Sequence, residues 1–108
     1  MSKNLTMTVL LDFYGELLTE KQADALRMYY EEDCSLSEIA ADMGISRQGA
    51  RDFIKRGEAQ LLEFEEKLGL VGRFEKITKA VCELGEILEN ENMSEEARML
   101  LENIKDNL

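Results

Sequence analysis

The sequence has no histidine, no proline and no tryptophan in its 108 residues, and each absence narrows what the chain can be. Without histidine it lacks the commonest general base and the commonest metal ligand. No glycine-rich phosphate loop and no paired nucleophile and base stand in for them, so the expectation is a protein that is not an enzyme and holds neither cofactor nor metal. With no proline, seven glycines and a hydrophobic fraction of 44%, the composition is that of a globular, mostly helical chain. No apolar run approaches the ~20 residues that cross a bilayer. The N-terminus shows no basic segment leading into an apolar stretch and a cleavage site, which points to a cytoplasmic protein with no membrane role. The two cysteines, Cys34 and Cys82, lack metal-type spacing and read as reduced thiols.

What is present is concentrated between Ser35 and Arg56, S-L-S-E-I-A-A-D-M-G-I-S-R-Q-G-A-R-D-F-I-K-R. Ser35 and Glu38 have the spacing of a capping box, Gly44 supplies the backbone freedom to stop and turn, and Ser46 restarts the chain as a second N-cap. Ile39, Ala40, Met43, Ile45, Ala50 and Phe53 are the apolar positions that would pack two helices across the turn. The pattern predicts a helix-turn-helix with its second helix offered to a nucleic acid.

The formal net charge of −10 opposes such a role, because an acidic protein is repelled by phosphates. Its distribution softens the objection. Between Arg47 and Lys79 there are 8 basic and 6 acidic residues, whereas the rest of the chain has 5 basic and 17 acidic ones. A local basic patch can bind phosphates while the acidic remainder discourages non-specific contacts.

Around the motif, helical periodicity predicts a first helix from about Leu5 to Leu18, or only to Tyr14 if Gly15 breaks it, with Leu5, Val9, Phe13 and Leu17 on one stripe. Thr19 and Gln22 have capping-box spacing and open a second helix carrying Ala25, Leu26, Met28 and Tyr29. The motif supplies the third helix, Ser35 to Met43, and the fourth, Arg47 to about Lys67, stopped by Gly69. A fifth helix, Val71 to about Glu89, has Phe74, Ile77, Val81, Leu84 and Leu88 close to heptad spacing. Ser94 opens a sixth, with Ala97, Leu100, Leu101 and Ile104 facing inward. The expected fold is all-α: a helix-turn-helix bundle, winged-helix-like or sigma region-four-like, over residues 1–68, with a C-terminal helical hairpin extension over residues 69–108. That extension packs on the body or on a second copy, making a homodimer through the C-terminal helices.

On a wheel of the fourth helix, Ala50, Phe53, Ile54, Gly57, Leu61, Phe64 and Leu68 fill one apolar arc. Arg47, Arg51 and Lys55 fall in a row beside it, successive members about 40° apart. With Gln48 and Arg56, these are the candidate nucleic-acid-binding residues. The same row also fits a solvated face with i,i+4 pairs such as Asp52–Arg56. Arg73, Lys76 and Lys79 form a second basic row, either an extension of the phosphate-binding surface or charges neutralised by Glu75, Glu83 and Glu86. The Tyr29–Tyr30 pair reads as core filling, and the methionines as gap-fillers.

The segment L-T-E-K-Q-A-D-A-L-R-M-Y-Y with the motif after it resembles region four of the bacterial sigma-70 factors. There Arg47, Gln48 and Arg51 would occupy phosphate- and base-contacting positions. Gly49 departs from the long basic residue common in those factors, which argues against promoter reading. Over essentially the whole chain, M-T-V-L-L-D-F-Y-G-E-L-L-T-E-K-Q, I-S-R-Q-G-A-R-D-F-I-K-R-G-E and the small acidic size resemble the YlxM family. Those are bacterial helix-turn-helix proteins implicated in regulating the signal recognition particle pathway. The resemblance implies the particle RNA, its GTPase or its receptor as partner. Three roles therefore stand open: a particle regulator, a transcription factor reading duplex DNA, and an adapter that docks on proteins.

Overall fold

The structure, a computed structural model, describes residues 5–108, with side chains from Thr6 onward. It has α1 at Leu5–Tyr14, α2 at Glu20–Tyr30, α3 at Leu36–Met43, α4 at Arg47–Leu68, α5 at Leu70–Asn90 and α6 at Glu95–Asp106. A single 3-10 turn, Gly15–Leu17, follows α1, and there is no strand among the described residues. The chain divides into two compact units, one ending at Gly69 and one spanning Leu70–Leu108.

In the first unit α4 is the spine, with α1, α2 and α3 all packed on it. Ala50, Ile54, Gly57 and Leu61, at alternating steps of four and three, form its buried ridge. Leu68 lies beyond the end of this ridge and is exposed, although the wheel placed it in the apolar arc. Gly57 is the closest approach: a Cβ there would meet Leu26 Cδ1 at 2.7 Å, so the absence of a side chain lets α2 sit down on α4. Two side-chain bonds pin the same elements. The Tyr14 hydroxyl donates to Glu65 Oε1, joining α1 to α4, and the Tyr30 hydroxyl donates to Glu58 Oε2, joining α2 to α4. Burial, then the Glu58 carboxylate that accepts its hydrogen bond, push the Tyr30 hydroxyl well above the ordinary tyrosine range.

The first helix corrects the expected stripe. It stops at Tyr14, where Gly15 begins the 3-10 turn, and buries Met7, Leu10, Leu11 and Tyr14, with Leu18 beyond the turn. Val9, Phe13 and Leu17 are exposed, and the side chain of Leu5 lies outside the described residues. Steps of four residues drift about 40° each around a helix, so a stripe built only from them walks off the buried face. Alternating threes and fours stays on it.

The second unit is a helical hairpin. Ser94 caps α6, its Oγ accepting from the Ala97 N–H at 3.1 Å. Gly85 lies against Leu101, where a Cβ would stand 3.2 Å from Leu101 Cδ2, and Arg98 reaches Glu89 at 3.9 Å across the turn. The single apolar strip expected on α5 is two strips. Val81 and Gly85 are buried, with Phe74, Thr78 and Leu88 half-buried on the same line. Ile77 and Leu84 belong to a second, exposed line. On α6 Leu101 is buried and Ala97 half-buried, whereas Leu100 and Ile104, expected to face inward, are exposed.

Candidate nucleic-acid interface

Local chemistry sets the turn between α3 and α4. Ser35 Oγ accepts from the Glu38 N–H at 3.1 Å while Glu38 Oε1 accepts from the Ser35 N–H at 2.9 Å, a complete capping box. Gly44 ends α3 at φ +69°, the left-handed conformation glycine adopts without penalty. Ile39, Ala40 and Ala50 are buried and Met43 and Phe53 half-buried, as a tight helix pair needs. Ile45 does not join them. It is exposed at the rim of a cavity of about 420 Å3, together with Met28, Met43 and Phe53.

Ser46 then caps α4, its Oγ accepting from the Gly49 N–H at 2.9 Å. A Cβ on Gly49 would stand 3.1 Å from that same oxygen, yet Gln22, Glu38 and Ala97 carry one at the equivalent position of their own caps, so the cap does not require glycine.

The candidate residues emerge from this capped end. Arg47, Gln48, Arg51, Lys55 and Arg56 are all exposed. Arg47, Arg51 and Lys55 run as one row over two turns, beside the buried ridge. Arg51 and Lys55 line a second cavity of about 260 Å3 with Tyr29, Leu36, Ile54 and Glu58. Lys55 Nζ lies 3.8 Å from Glu58 Oε1, so the carboxylate that holds Tyr30 also steadies the last cation of the row.

Two contacts escaped the sequence reading. Gln48 Nε2 donates to Asp52 Oδ1 at 3.0 Å, and Arg56 lies over the Phe53 ring, 5.7 Å from its centroid. Each takes one partner out of the Asp52–Arg56 pairing expected from i,i+4 spacing. Asp52 is therefore an acidic side chain within the basic face, coupled to Gln48. Arg56 stands apart from the row, about 100° around the helix from Lys55. The Tyr29–Tyr30 rings meet edge-on at 4.9 Å. Arg73, Lys76 and Lys79 are exposed on α5 of the second unit. Neither Cys34 nor Cys82 is in a disulfide. Among the described residues, no group of three or more potential ligands is placed to hold a metal ion, and no helix is long and apolar enough to cross a membrane.

Comparison with known proteins agrees with this geometry. Residues 1–104 match the UPF0122 family, described as "Putative helix-turn-helix protein, YlxM / p13 like". The chain belongs to this family. A UPF0122 protein of Halalkalibacterium halodurans is 46% identical over 104 residues, covering 96% of this chain and 95% of the relative. UPF0122 proteins of Bacillus cereus strain AH187 and Bacillus anthracis strain A0248 are each 42% identical over 106 residues, covering 97% of this chain and 96% of the relative. In this member of the UPF0122 family the helix-turn-helix is formed by α3 and α4.

Proposed function

We propose that the chain is a non-enzymatic, cytoplasmic regulator that binds nucleic acid through α4 and acts in the signal recognition particle pathway, on the particle RNA or on its GTPase. The observation that carries the binding reading is the exposed Arg47–Arg51–Lys55 row on a helix whose start is fixed by the Ser46 cap. Cations held in register along a rigid helix meet successive phosphates without first ordering a loop. Gln48, oriented by Asp52, is the side chain at this end suited to base contact. The particle pathway as the setting is supported by the YlxM likeness of the family.

A second reading, transcriptional control through duplex DNA, draws on the same helix and on the helix-turn-helix geometry itself. It requires two motifs, because one offers few base contacts, with half-sites about 34 Å apart.

Binding of labelled particle RNA and of random-sequence DNA duplex across a salt series separates these readings, with Arg47→Ala/Arg51→Ala as control. RNA preference with a salt slope that falls by about one unit per arginine removed supports the particle regulator. Preference for the duplex moves the reading to transcription. Binding to neither rejects the nucleic-acid role and leaves docking on the GTPase.

A further inference from the structure

The second unit is incomplete by itself. It spans Leu70–Leu108, at the ~40-residue limit below which a chain needs a disulfide, a metal or association to stay folded. Cys82 is free, and the buried large apolar side chains of the hairpin are Val81 and Leu101. Meanwhile Ile77, Leu84 and Ile87 are 40%, 48% and 55% exposed. With Ala80 between them, they recur at steps of three, four and three, the spacing of a coiled-coil seam.

We infer that this exposed seam is the two-fold interface of a homodimer, in which α5 packs antiparallel on α5 of a second copy. This inference is independent of the nucleic-acid reading of α4.

Helical geometry gathers the exposed apolar residues of both helices on one face of the hairpin. Taking the Gly85–Leu101 contact as the direction of α6, Leu84 is turned back about 100° and Ile77 about 80° around α5. On α6, Leu100 is turned back from Leu101 about 100° and Ile104 about 60°. The helices run antiparallel, so rotation in the same sense brings both sets to the same side. One face of the hairpin buries its own contact, and a second apolar face is left over. This is half of a four-helix bundle, and stacking two such halves about a two-fold axis makes every neighbouring pair of helices antiparallel.

Charge selects a second copy and its direction. The first half of α5 carries Arg73, Lys76 and Lys79 against Glu75, and the second half Glu83, Glu86 and Glu89; of these, Lys76 and Glu83 flank the seam, about 60° and 80° from its centre. An antiparallel copy sets each cationic half along the partner's anionic half, whereas a parallel copy would set like against like. The small Ala80 lets the two α5 backbones approach near the middle. The second basic row then serves self-association.

Sedimentation equilibrium of the full chain tests this, with helicity by circular dichroism as the folding control. The expected mass is twice 12.4 kDa, and Leu84→Glu raises the dissociation constant at least about a hundredfold by placing a charge in the seam. Because Leu84→Glu also changes the hairpin surface, a second pair of variants keeps the test sharp. Lys76→Glu and Glu83→Lys each weaken self-association, and mixing the two restores it as a heterodimer. A chain of 12.4 kDa at every concentration overturns the inference, as does a dimer indifferent to Leu84→Glu. A mixture with no preference for the heterodimer overturns the antiparallel arrangement.

Discussion

Gly57 and Leu26 meet so closely that one added methyl group would stand 2.7 Å from Leu26 Cδ1, with two further Leu26 carbons at 3.2 and 3.5 Å. Leu26 is fully buried and has no solvent side into which to swing. Gly57→Ala therefore sets two effects against each other. Alanine gains about 1 kcal/mol of helix propensity over glycine, while overpacking a rigid contact costs about 1–3 kcal/mol. The contact wins, and chemical denaturation should show a net loss of about 1 kcal/mol.

The start of α4 depends on a single hydroxyl. Ser46→Ala leaves the Gly49 N–H without its acceptor and should cost about 1 kcal/mol, seen as a fall of several degrees in thermal melting. Ser37→Ala, at an exposed position inside α3, should raise or leave unchanged the melting temperature, since alanine is the better helix former. Equal losses in both variants would refute the assignment of the cap.

Asp52 is an exposed acidic side chain within the basic face. Asp52→Asn removes its charge and keeps an oxygen to accept from Gln48. Nucleic-acid affinity, read by fluorescence anisotropy, should rise about threefold at low salt and the gain should fade as ionic strength increases. A fall in affinity would mean that the carboxylate itself contacts the ligand.

Tyr30 gives the first unit an alkaline limit. Its hydroxyl is raised above the unfolded value of about 10, so the neutral form is favoured in the folded state. The stabilisation it contributes is complete below pH ~10 and is lost as pH rises from there toward the folded value. Ultraviolet titration should show a late-ionising tyrosine signal that shrinks in Tyr30→Phe. Tyr30→Phe should flatten the loss of stability above pH ~10.

The sequence was most legible where structure is decided within four residues. Thr19, Ser35, Ser46 and Ser94 all cap the helices they were expected to cap, and Gly44 and Gly69 both end helices in the left-handed conformation. The turn and the Arg47–Arg51–Lys55 row followed from that. Faces were harder. On α5 the two strips lie side by side, one residue apart in register, and a list of apolar positions merges them because hydrophobicity alone carries no direction. The Tyr14–Glu65 and Tyr30–Glu58 bonds were invisible because they join residues 51 and 28 positions apart. The Gln48–Asp52 contact was missed for the opposite reason. Asp52 has two suitable neighbours four residues away, and only packing, which draws Arg56 onto Phe53, decides between them.

Because one helix carries both the cationic row and the ridge on which α1, α2 and α3 rest, the row has no moving part of its own. On the proposed role of α4, encounter with a nucleic acid is then a rigid-body collision, its speed set by charge and ionic strength and its lifetime by the contacts made on arrival. Release needs no gate to open. Such a surface is suited to rapid exchange, letting a small protein sample many sites and dwell only where the contacts match.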